Sequence, residues 1–434
     1  MQVVRTARTT ETGNSTITGD IVRLCAVVLV LFACYLLVKD CFRSGLARLL
    51  NTTAIMQASS EPAERAVQLA PTDPETHYTR GLSLVNEQRL QEAVVELNIA
   101  TILRPRYYYE WLDLGVTKER LGDSAEAEAA IRESIRLAPT FAQPHWQLGN
   151  LLFTAGRYPE AFTELRVGAK SNPNLRQGLV RLAWAASGGD IASFVAWAQP
   201  VTTKDHLRLA LLLAEEGHAK DAVDQLRQGL PAVDDDDNNM LRVTIMRLLA
   251  AKEFLGARDA WRLAHPDVAN PGEAQVVNGD FIDPIRQNDP GFGWQVGNIP
   301  NVSIAVDNAG PAEGARSLRL QFSGEMPPVE LATQLVVLEP QTRYSLRFFD
   351  KSSQLVSGAL PRVVIEDVEA DPVVALGESA SFGSHDGAWA SNQTDFATGR
   401  NRTVKIVIYR GPCAQTPCSI FGELWISRFS LVKQ

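Results

Sequence analysis

Small and helix-breaking residues recur at a constant interval through the middle of this chain. The positions spaced 34 residues apart are Gly81, Gly115 and Gly149, then Ala93, Ala127 and Ala161, and finally Pro71, Pro105, Pro139 and Pro173. Chance rarely keeps one interval over a hundred residues, so the segment is an internal repeat. Apolar residues between these positions follow helical spacing, and proline cannot continue a helix. The pattern predicts helix pairs that stack into an α-solenoid.

The period and the spacing of small residues resemble the tetratricopeptide repeat, a helix–turn–helix unit. The family pattern is best kept in the second repeat, by Trp111, Leu114, Gly115, Ala127 and Pro139. The first repeat has His77 and Arg80 where the aromatic residue and the leucine belong. The third has His145 and Gly168 in place of the aromatic residue and the later alanine. These departures weaken single contacts and leave the resemblance intact.

The repeat phase extends beyond the three clear units. Ala63, Ala66 and Pro71 keep it upstream, so at least the second helix of a preceding unit is present. Downstream the phase breaks at residues 187–189, and a degenerate pair follows in which Ala210 and Ala222 are twelve residues apart. We therefore predict one solenoid over residues 59–267, with three clear and two or three eroded repeats.

The family geometry implies which side chains line the concave groove of such a solenoid. The residues that map there are Tyr78, Tyr109, Glu119, Arg120, Trp146 and Asn150. The functional interpretation is a protein or peptide partner held by aromatic anchors. The alternative is that Tyr78 and Trp146 pack between neighbouring repeats.

Residues 21–38 form an apolar stretch with a single charge, Arg23. Eighteen helical residues reach about 27 Å, close to the thickness of a thin bilayer core. A secretory signal is the rival interpretation, but Lys39-Asp40-Cys41-Phe42 is not a small-residue cleavage site. We predict an uncleaved membrane helix at 21–38, after a tail at 1–20 and before a connecting helix at 39–58. Basic residues are balanced between the two ends, which leaves its orientation open. They are Arg5, Arg8 and Arg23 on the N-terminal side and Lys39, Arg43 and Arg48 on the other.

Charge and cysteine usage bear on partners and compartment. The net charge of −8 argues against binding nucleic acid through broad electrostatics. Cys413 and Cys418 lie five residues apart between two strand patterns, and a disulfide closing that loop would need an oxidising compartment. With no histidine nearby in sequence, two thiols cannot complete a zinc site. We expect a single-pass protein of the inner membrane, with most of the chain periplasmic or extracytoplasmic and with no bound metal.

From residue 275 the helical period gives way to short runs of alternating polar and apolar residues, as in Leu318-Arg319-Leu320 and Tyr344-Ser345-Leu346. Seven or eight such runs predict a β-sandwich of jelly-roll type over residues 275–434. A linker at 268–274, which contains Pro271-Gly272, separates it from the solenoid. The predicted fold class is therefore multidomain: one transmembrane helix, an all-α solenoid and an all-β sandwich.

The two ends of the β region resemble galactose-binding-like carbohydrate-binding modules. The opening carries Val277-Asn278-Gly279-Asp280-Phe281 and Gly291-Phe292-Gly293-Trp294, and the last strand reads Gly422 to Leu431. In that family the first motif and a last-strand aspartate often share a structural calcium. Here Ile282 and the pair Ser427-Arg428 stand where acidic residues are usual. The resemblance therefore does not carry a calcium site over to this chain.

Sugar binding by such a module would use aromatic faces together with nearby amides. The candidates are Trp294, Trp389 and Tyr409, with Asn392 and Gln393 close in sequence to Trp389. The alternative is structural, because Trp294 and Trp425 occupy motif positions that commonly support the sandwich.

The sequence has none of the catalytic signatures that name a reaction. It lacks H-E-x-x-H, G-x-S-x-G, a phosphate-binding P-loop and a dinucleotide fingerprint. We therefore expect no enzyme activity and no cofactor.

The three-part layout resembles membrane-anchored tetratricopeptide proteins associated with bacterial exopolysaccharide assembly and export. That resemblance implies a non-enzymatic scaffold whose solenoid recruits proteins and whose sandwich contacts glycan or another subunit. Two alternatives stay open: a glycan-modifying hydrolase with its site in the sandwich, and a cytoplasm-facing adaptor.

Overall fold

The computed structural model describes residues 14–229, 235–266, 268, 276–286, 289–383, 387–414 and 417–434. Residues 1–13 of the predicted tail lie outside the described residues, as does the predicted linker apart from Val268. The chain divides into two compact units, Met1–Ala198 and Gln199–Gln434.

The first unit is built from helices that pair in sequence. They are α1 (Asn14–Gln57), α2 (Ser60–Leu69), α3 (Pro74–Asn86), α4 (Leu90–Leu103), α5 (Tyr108–Leu121), α6 (Ser124–Leu137), α7 (Ala142–Thr154), α8 (Tyr158–Ser171), α9 (Arg176–Ser187) and α10 (Ile191–Ala198). Side-chain caps begin α2, α3 and α10, because a carboxylate or hydroxyl oxygen accepts a backbone N–H group at each start; the capping residues are Ser59, Asp73 and Asp190. The repeating prolines fall between one pair and the next, as their lack of an N–H requires.

The repeating glycines lie where the two helices of a pair cross. A Cβ on Gly81 would lie 2.7 Å from Cγ of Leu97, and a Cβ on Gly149 would lie 2.5 Å from Cγ of Leu165. A Cβ on Gly115 would likewise lie 2.6 Å from Cγ1 of Ile131. Each contact joins residues sixteen apart, so the 34-residue period is a period of helix crossings. The α-solenoid of the predicted fold class is confirmed.

The helix that carries the apolar stretch continues into the repeats without a break. Its side chains from Leu24 to Val38 are exposed, and the segment starting at Arg23 reaches a mean hydropathy of 2.3, enough by length and composition to cross a membrane. Beyond residue 38 the same helix packs on α2 and α3, and Ala47 and Ala54 are fully buried. Ala47 precedes Gly81 by 34 residues. The predicted connecting helix at 39–58 is thus the second half of α1 and serves as the first helix of a repeat.

The second unit begins with four more helices, α11 (Thr203–Glu215), α12 (Ala219–Gly229), α13 (Asp235–Ala250) and α14 (Phe254–Ala264). A capping box starts α11: Thr202 accepts from the backbone of Asp205, whose carboxylate accepts from the backbone of Thr202. Helices α11 and α12 keep the repeat geometry, with Ala210 and Ala222 both fully buried.

The rest of the second unit is a sandwich of two antiparallel five-stranded sheets. Its strands are β1 (Gln295–Val296), β2 (Val302–Asp307), β3 (Ser317–Glu325), β4 (Val329–Val337), β5 (Arg343–Ser357), β6 (Arg362–Asp367), β7 (Val374–Glu378), β8 (Ala390–Ala397), β9 (Thr403–Arg410) and β10 (Ser419–Lys433). The sheet orders are β1-β4-β9-β6-β7 and β2-β3-β10-β5-β8. Alternate residues of both sheets, among them Leu320, Leu346, Val363 and Ile406, form one core. The predicted β-sandwich is confirmed.

The opening motif of the sandwich is joined to its last strand. The N–H of Phe429 donates to the carbonyl oxygen of Gly279 at 2.9 Å, and a Cβ on Gly279 would collide with the carbonyl oxygen of Phe429. The rings of Phe281 and Trp294 lie 5.4 Å apart, and both contact the ring of Phe429 in the core. The two sequence motifs at the ends of the region therefore form one packed cluster.

Candidate functional site

The histidines that depart from the repeat pattern replace an aromatic residue and keep its hydrogen bond. His77 Nε2 lies 2.9 Å from the carbonyl oxygen of Pro71, and His145 Nε2 lies 3.0 Å from that of Pro139. Trp111 Nε1 donates to the carbonyl of Pro105 at 3.0 Å in the same way. The position needs a ring N–H that ties the first helix to the proline ending the preceding unit. These histidines are structural.

The predicted groove residues lie on the first helices of successive repeats, α3, α5 and α7. The Tyr78 hydroxyl donates to Oδ2 of Asp113 at 2.6 Å and so links α3 to α5. Arg120 Nη2 donates to Oε1 of Gln88 at 2.9 Å, which ties α5 to the preceding turn. Burial raises the pKa of both Tyr78 and Asp113. Tyr78 and Arg120 therefore hold neighbouring repeats together.

The two predicted groove residues on α7, Trp146 and Asn150, differ in their surroundings. The indole of Trp146 lies against α9, where a Cβ on Gly178 would be 3.1 Å from Cη2 of the ring. These contacts favour the packing interpretation for Trp146 and Tyr78. Asn150 is half-buried on the same helix as Trp146.

The start of α5 and the chain just before α7 carry a cluster of aromatic rings, which we call the aromatic ledge: Tyr107, Tyr108, Tyr109 and Phe141. The rings of Tyr108 and Tyr109 stack with centroids 4.2 Å apart, and Phe141 lies 4.9 Å from Tyr108. Tyr107, Tyr109 and Phe141 are 39%, 38% and 50% exposed. The ledge thus presents adjoining aromatic surface from two repeats.

Only Tyr109 of this ledge is among the groove residues that the family geometry implies. A signal for the rest was present in the sequence, because Tyr107 and Phe141 are 34 residues apart and three tyrosines follow one another. The repeating glycines, alanines and prolines that predicted the solenoid do not include these positions, so the repeat pattern did not single them out.

Carboxylates lie close to the ledge. Glu110 is fully buried and pairs with Arg104, whose guanidinium also covers the Tyr107 ring at 4.0 Å. Burial raises the pKa of Glu110 to about 7, against the opposing effect of Arg104. Burial also raises the pKa of Glu119, a predicted groove residue at the other end of α5.

The glycan candidates of the sandwich do not form one site. Trp294 is 2% exposed and its ring packs on Phe281 and Phe429, so it is a core residue. Tyr409 lies on β9 with Arg362 5.8 Å above its ring, in a different sheet from Asn392 on β8. Trp389, half-buried just before β8, is the candidate ring nearest to Asn392 in sequence.

Asn392 itself is held by the fold. Its amide donates to Oδ1 of the buried Asp350 at 2.6 Å, and it lies opposite the core residue Phe348 across the β5–β8 pair. It is therefore turned toward the inner side of the sheet.

A cavity of about 230 Å³ opens in the second unit beside α14 and the start of the sandwich. Its wall includes Trp261, Asp280, Asp283 and Asp289. Asp289 is fully engaged, since it accepts from Trp261 Nε1 at 2.8 Å and from the backbone N–H groups of Gly291 and Gly293. The carboxylates of Asp280 and Asp283 have no hydrogen-bond partner among the described residues, so they are the polar groups open to a ligand.

Cys413 and Cys418 form a disulfide, with their Cα atoms 5.8 Å apart. The remaining cysteines, Cys25, Cys34 and Cys41, are free and exposed on α1. Within the described parts of the chain, no group of three or more histidine, cysteine or acidic side chains is placed to hold a metal ion.

No family model matches the chain, and no curated protein matches it. Among solved structures, it is similar to a MamA RS-1 double mutant, at 17% identity over 36% of this chain and 91% of that one, with a TM-score of 0.32. It is also similar to PilF of Pseudomonas aeruginosa, at 16% identity over 54% and 94% of the two chains, with a TM-score of 0.31. The chain is also similar to YrrB, described as a TPR protein with an unusual peptide-binding site. The identity is 14% over 48% of this chain and 93% of that one, with a TM-score of 0.27.

Proposed function

We propose that this chain is a non-enzymatic, membrane-anchored scaffold that binds a protein partner through its first unit. The observation that carries the proposal is the aromatic ledge, which exposes rings of two successive repeats side by side. Aromatic side chains bury much area for little conformational entropy and dominate many binding surfaces.

Two further features support the anchored part of the proposal. The exposed apolar side chains of α1 have no partner surface within the described first unit, and a bilayer would cover them. The disulfide fits a compartment where such bonds persist, which is outside the bacterial cytoplasm. A role in envelope polysaccharide assembly or export rests on the resemblance of the three-part layout alone.

The ledge is tested by truncating two of its exposed rings together, Tyr109→Ala and Phe141→Ala. We expect partners that copurify with the full-length chain from its native membranes to be lost at least tenfold, because about 1.4 kcal/mol of binding free energy is a factor of ten. Quantitative mass spectrometry of the captured proteins measures this loss.

Val95→Ala is the matched control for the ledge. Val95 is 58% exposed in the middle of α4, a second helix of a repeat, twelve residues before Tyr107, so its truncation removes exposed apolar area outside the ledge. Equal capture by all three proteins, with unchanged circular dichroism, would remove the ledge from the proposal.

The sandwich is proposed to bind glycan at the cavity beside α14, where Asp280 and Asp283 can accept hydrogen bonds from sugar hydroxyls. The full-length chain in detergent should be retained on a bacterial polysaccharide, and an Asp280→Ala, Asp283→Ala variant should not. Absence of retention on every polysaccharide tried would leave the sandwich as a structural or protein-binding module.

A further inference from the structure

Arg410 is a fully buried cation at the end of β9, next to the disulfide. No carboxylate among the described residues forms an ion pair with it. Burial without an opposite charge lowers the pKa of the Arg410 guanidinium. A buried charge that meets only neutral dipoles is costly to the fold, so the missing counter-charge needs an explanation.

The contacts of Arg410 join the disulfide loop to the chain between β3 and β4. Nη1 donates to the carbonyl oxygens of Met326 and Pro327. Nη2 donates to the carbonyl oxygen of Cys418 at 2.8 Å and lies 2.8 Å from its Sγ. The distance from Nη2 to Sγ of Cys413 is 4.0 Å. The guanidinium therefore favours one sulfur of the pair, and its Nε has no hydrogen-bond partner among the described residues.

We propose that Cys413–Cys418 is a thiol–disulfide exchange site, in which Arg410 receives the Cys418 thiolate when a dithiol reductant opens the bond. Reduction would supply the negative charge that the buried guanidinium lacks. A thiolate stabilised by a cation is the better leaving group in exchange. The arrangement thus selects Cys413 as the sulfur that is attacked.

The exchange takes place in two steps. One thiolate of the dithiol attacks Sγ of Cys413, the Cys413–Cys418 bond breaks, and its electron pair stays on Sγ of Cys418. The second thiol of the reductant then gives up its proton, and the resulting thiolate attacks the reductant's sulfur of the mixed disulfide, so that Cys413 leaves and takes up a proton. The reductant ends as a disulfide, and the two electrons that it gives up reside on one thiol and one thiolate of this chain.

The site is open to such a reductant. Both cysteines are half-buried, and they line a surface depression together with Val356, Gly358 and Phe421. The Val356 and Phe421 side chains beside them are 69% and 52% exposed. Gly358 leaves space at Cys413, since a Cβ there would lie 3.4 Å from Sγ.

Because Nη2 of Arg410 lies at unequal distances from the two sulfurs, two variants that each remove one cysteine form a matched pair. In Cys413→Ser the remaining thiol is Cys418, and in Cys418→Ser it is Cys413. We expect the pH midpoint for iodoacetamide alkylation of Cys418 to lie at least about one unit below that of Cys413, whose midpoint should stay near the ordinary thiol value of about 8.5. Peptide-resolved mass spectrometry of the full-length chain separates these thiols from Cys25, Cys34 and Cys41.

Arg410→Gln tests the source of the effect. Its disulfide should be at least about tenfold harder to reduce in equilibrium with dithiothreitol, while Arg410→Lys should lie between it and the unaltered chain. Equal alkylation midpoints for the two cysteines would overturn the proposal. So would an unchanged equilibrium in a folded Arg410→Gln protein. If Arg410→Gln does not fold, the two cysteine variants decide, because they keep the arginine.

Discussion

At the scale of single residues, three histidines on first helices of the repeats pair with a side chain at one constant spacing. His77, His145 and His206 place Nδ1 2.7, 2.6 and 3.0 Å from a side chain nineteen residues later, which is Glu96, Glu164 and Gln225 respectively. Because Nε2 of His77 must donate to the Pro71 carbonyl, Nδ1 can also donate to Glu96 only when the ring is charged. The hydrogen bond to Glu96 is the main cause that raises the pKa of His77.

Replacing Glu96→Gln recreates in the first repeat the pair that His206 and Gln225 form. A histidine whose folded-state pKa is raised contributes stability that is full below its unfolded value, about 6.5, and is lost as pH rises through the folded-state pKa. We expect the variant to lose about 1–3 kcal/mol of unfolding free energy at pH 6 and clearly less at pH 9. The variant also weakens the hydrogen bond from Arg80 Nη1 to Glu96 Oε1, at 2.9 Å, and this part of the lost unfolding free energy does not change with pH.

Urea unfolding followed by circular dichroism at the two pH values measures the difference. Glu92→Gln, at an exposed carboxylate on the same helix, is the control: it removes a surface ion pair with Arg89 and should cost little unfolding free energy, equally at both pH values. A deficit of equal size at pH 6 and pH 9 would contradict a charged His77.

At the scale of helices and strands, periodicity carried most of the prediction. Gly115 and its repeats predicted the helix crossings, and alternation predicted the strands, because both patterns report which face is buried. The sequence could not show that Trp294 lies in the core, since the rings that cover it come from distant parts of the region. Nor could it show that Arg410 meets Cys418, because one residue ends a strand and the other lies in the following loop.

Gly115→Ala should destabilise the solenoid, although alanine is the better helix former by about 1 kcal/mol. The new Cβ would lie 2.6 Å from Cγ1 of Ile131 and 3.0 Å from the carbonyl oxygen of Ala127, so the two helices must separate. We expect a net loss of about 1–2 kcal/mol in thermal or urea unfolding.

Gly45→Ala is the opposite case, because a Cβ there meets nothing within 4 Å. It should raise stability or leave it unchanged. If Gly115→Ala proved as harmless as Gly45→Ala, the close crossing would not be what selects glycine.

At the scale of the whole molecule, the apolar half of α1 should decide where the chain resides. The full-length protein should stay in the membrane pellet after carbonate extraction, and a chain that begins at Lys39 should be soluble with its helical circular dichroism retained. The truncation leaves Ala47 and Ala54, which pack against the repeats, in place. Release of the full-length protein by carbonate would contradict an anchoring role for residues 21–38.

Because α1 runs through 44 residues as one rod, about 66 Å long, torsion at one end is transmitted to the other. Adding a single residue near Val38 would turn everything beyond it by about 100° around the rod axis and raise it by 1.5 Å. Adding seven residues would return everything beyond the insertion to nearly its original orientation around the rod axis, but farther along that axis. The direction in which the aromatic ledge faces around the axis of α1 is thus fixed by the register of this helix.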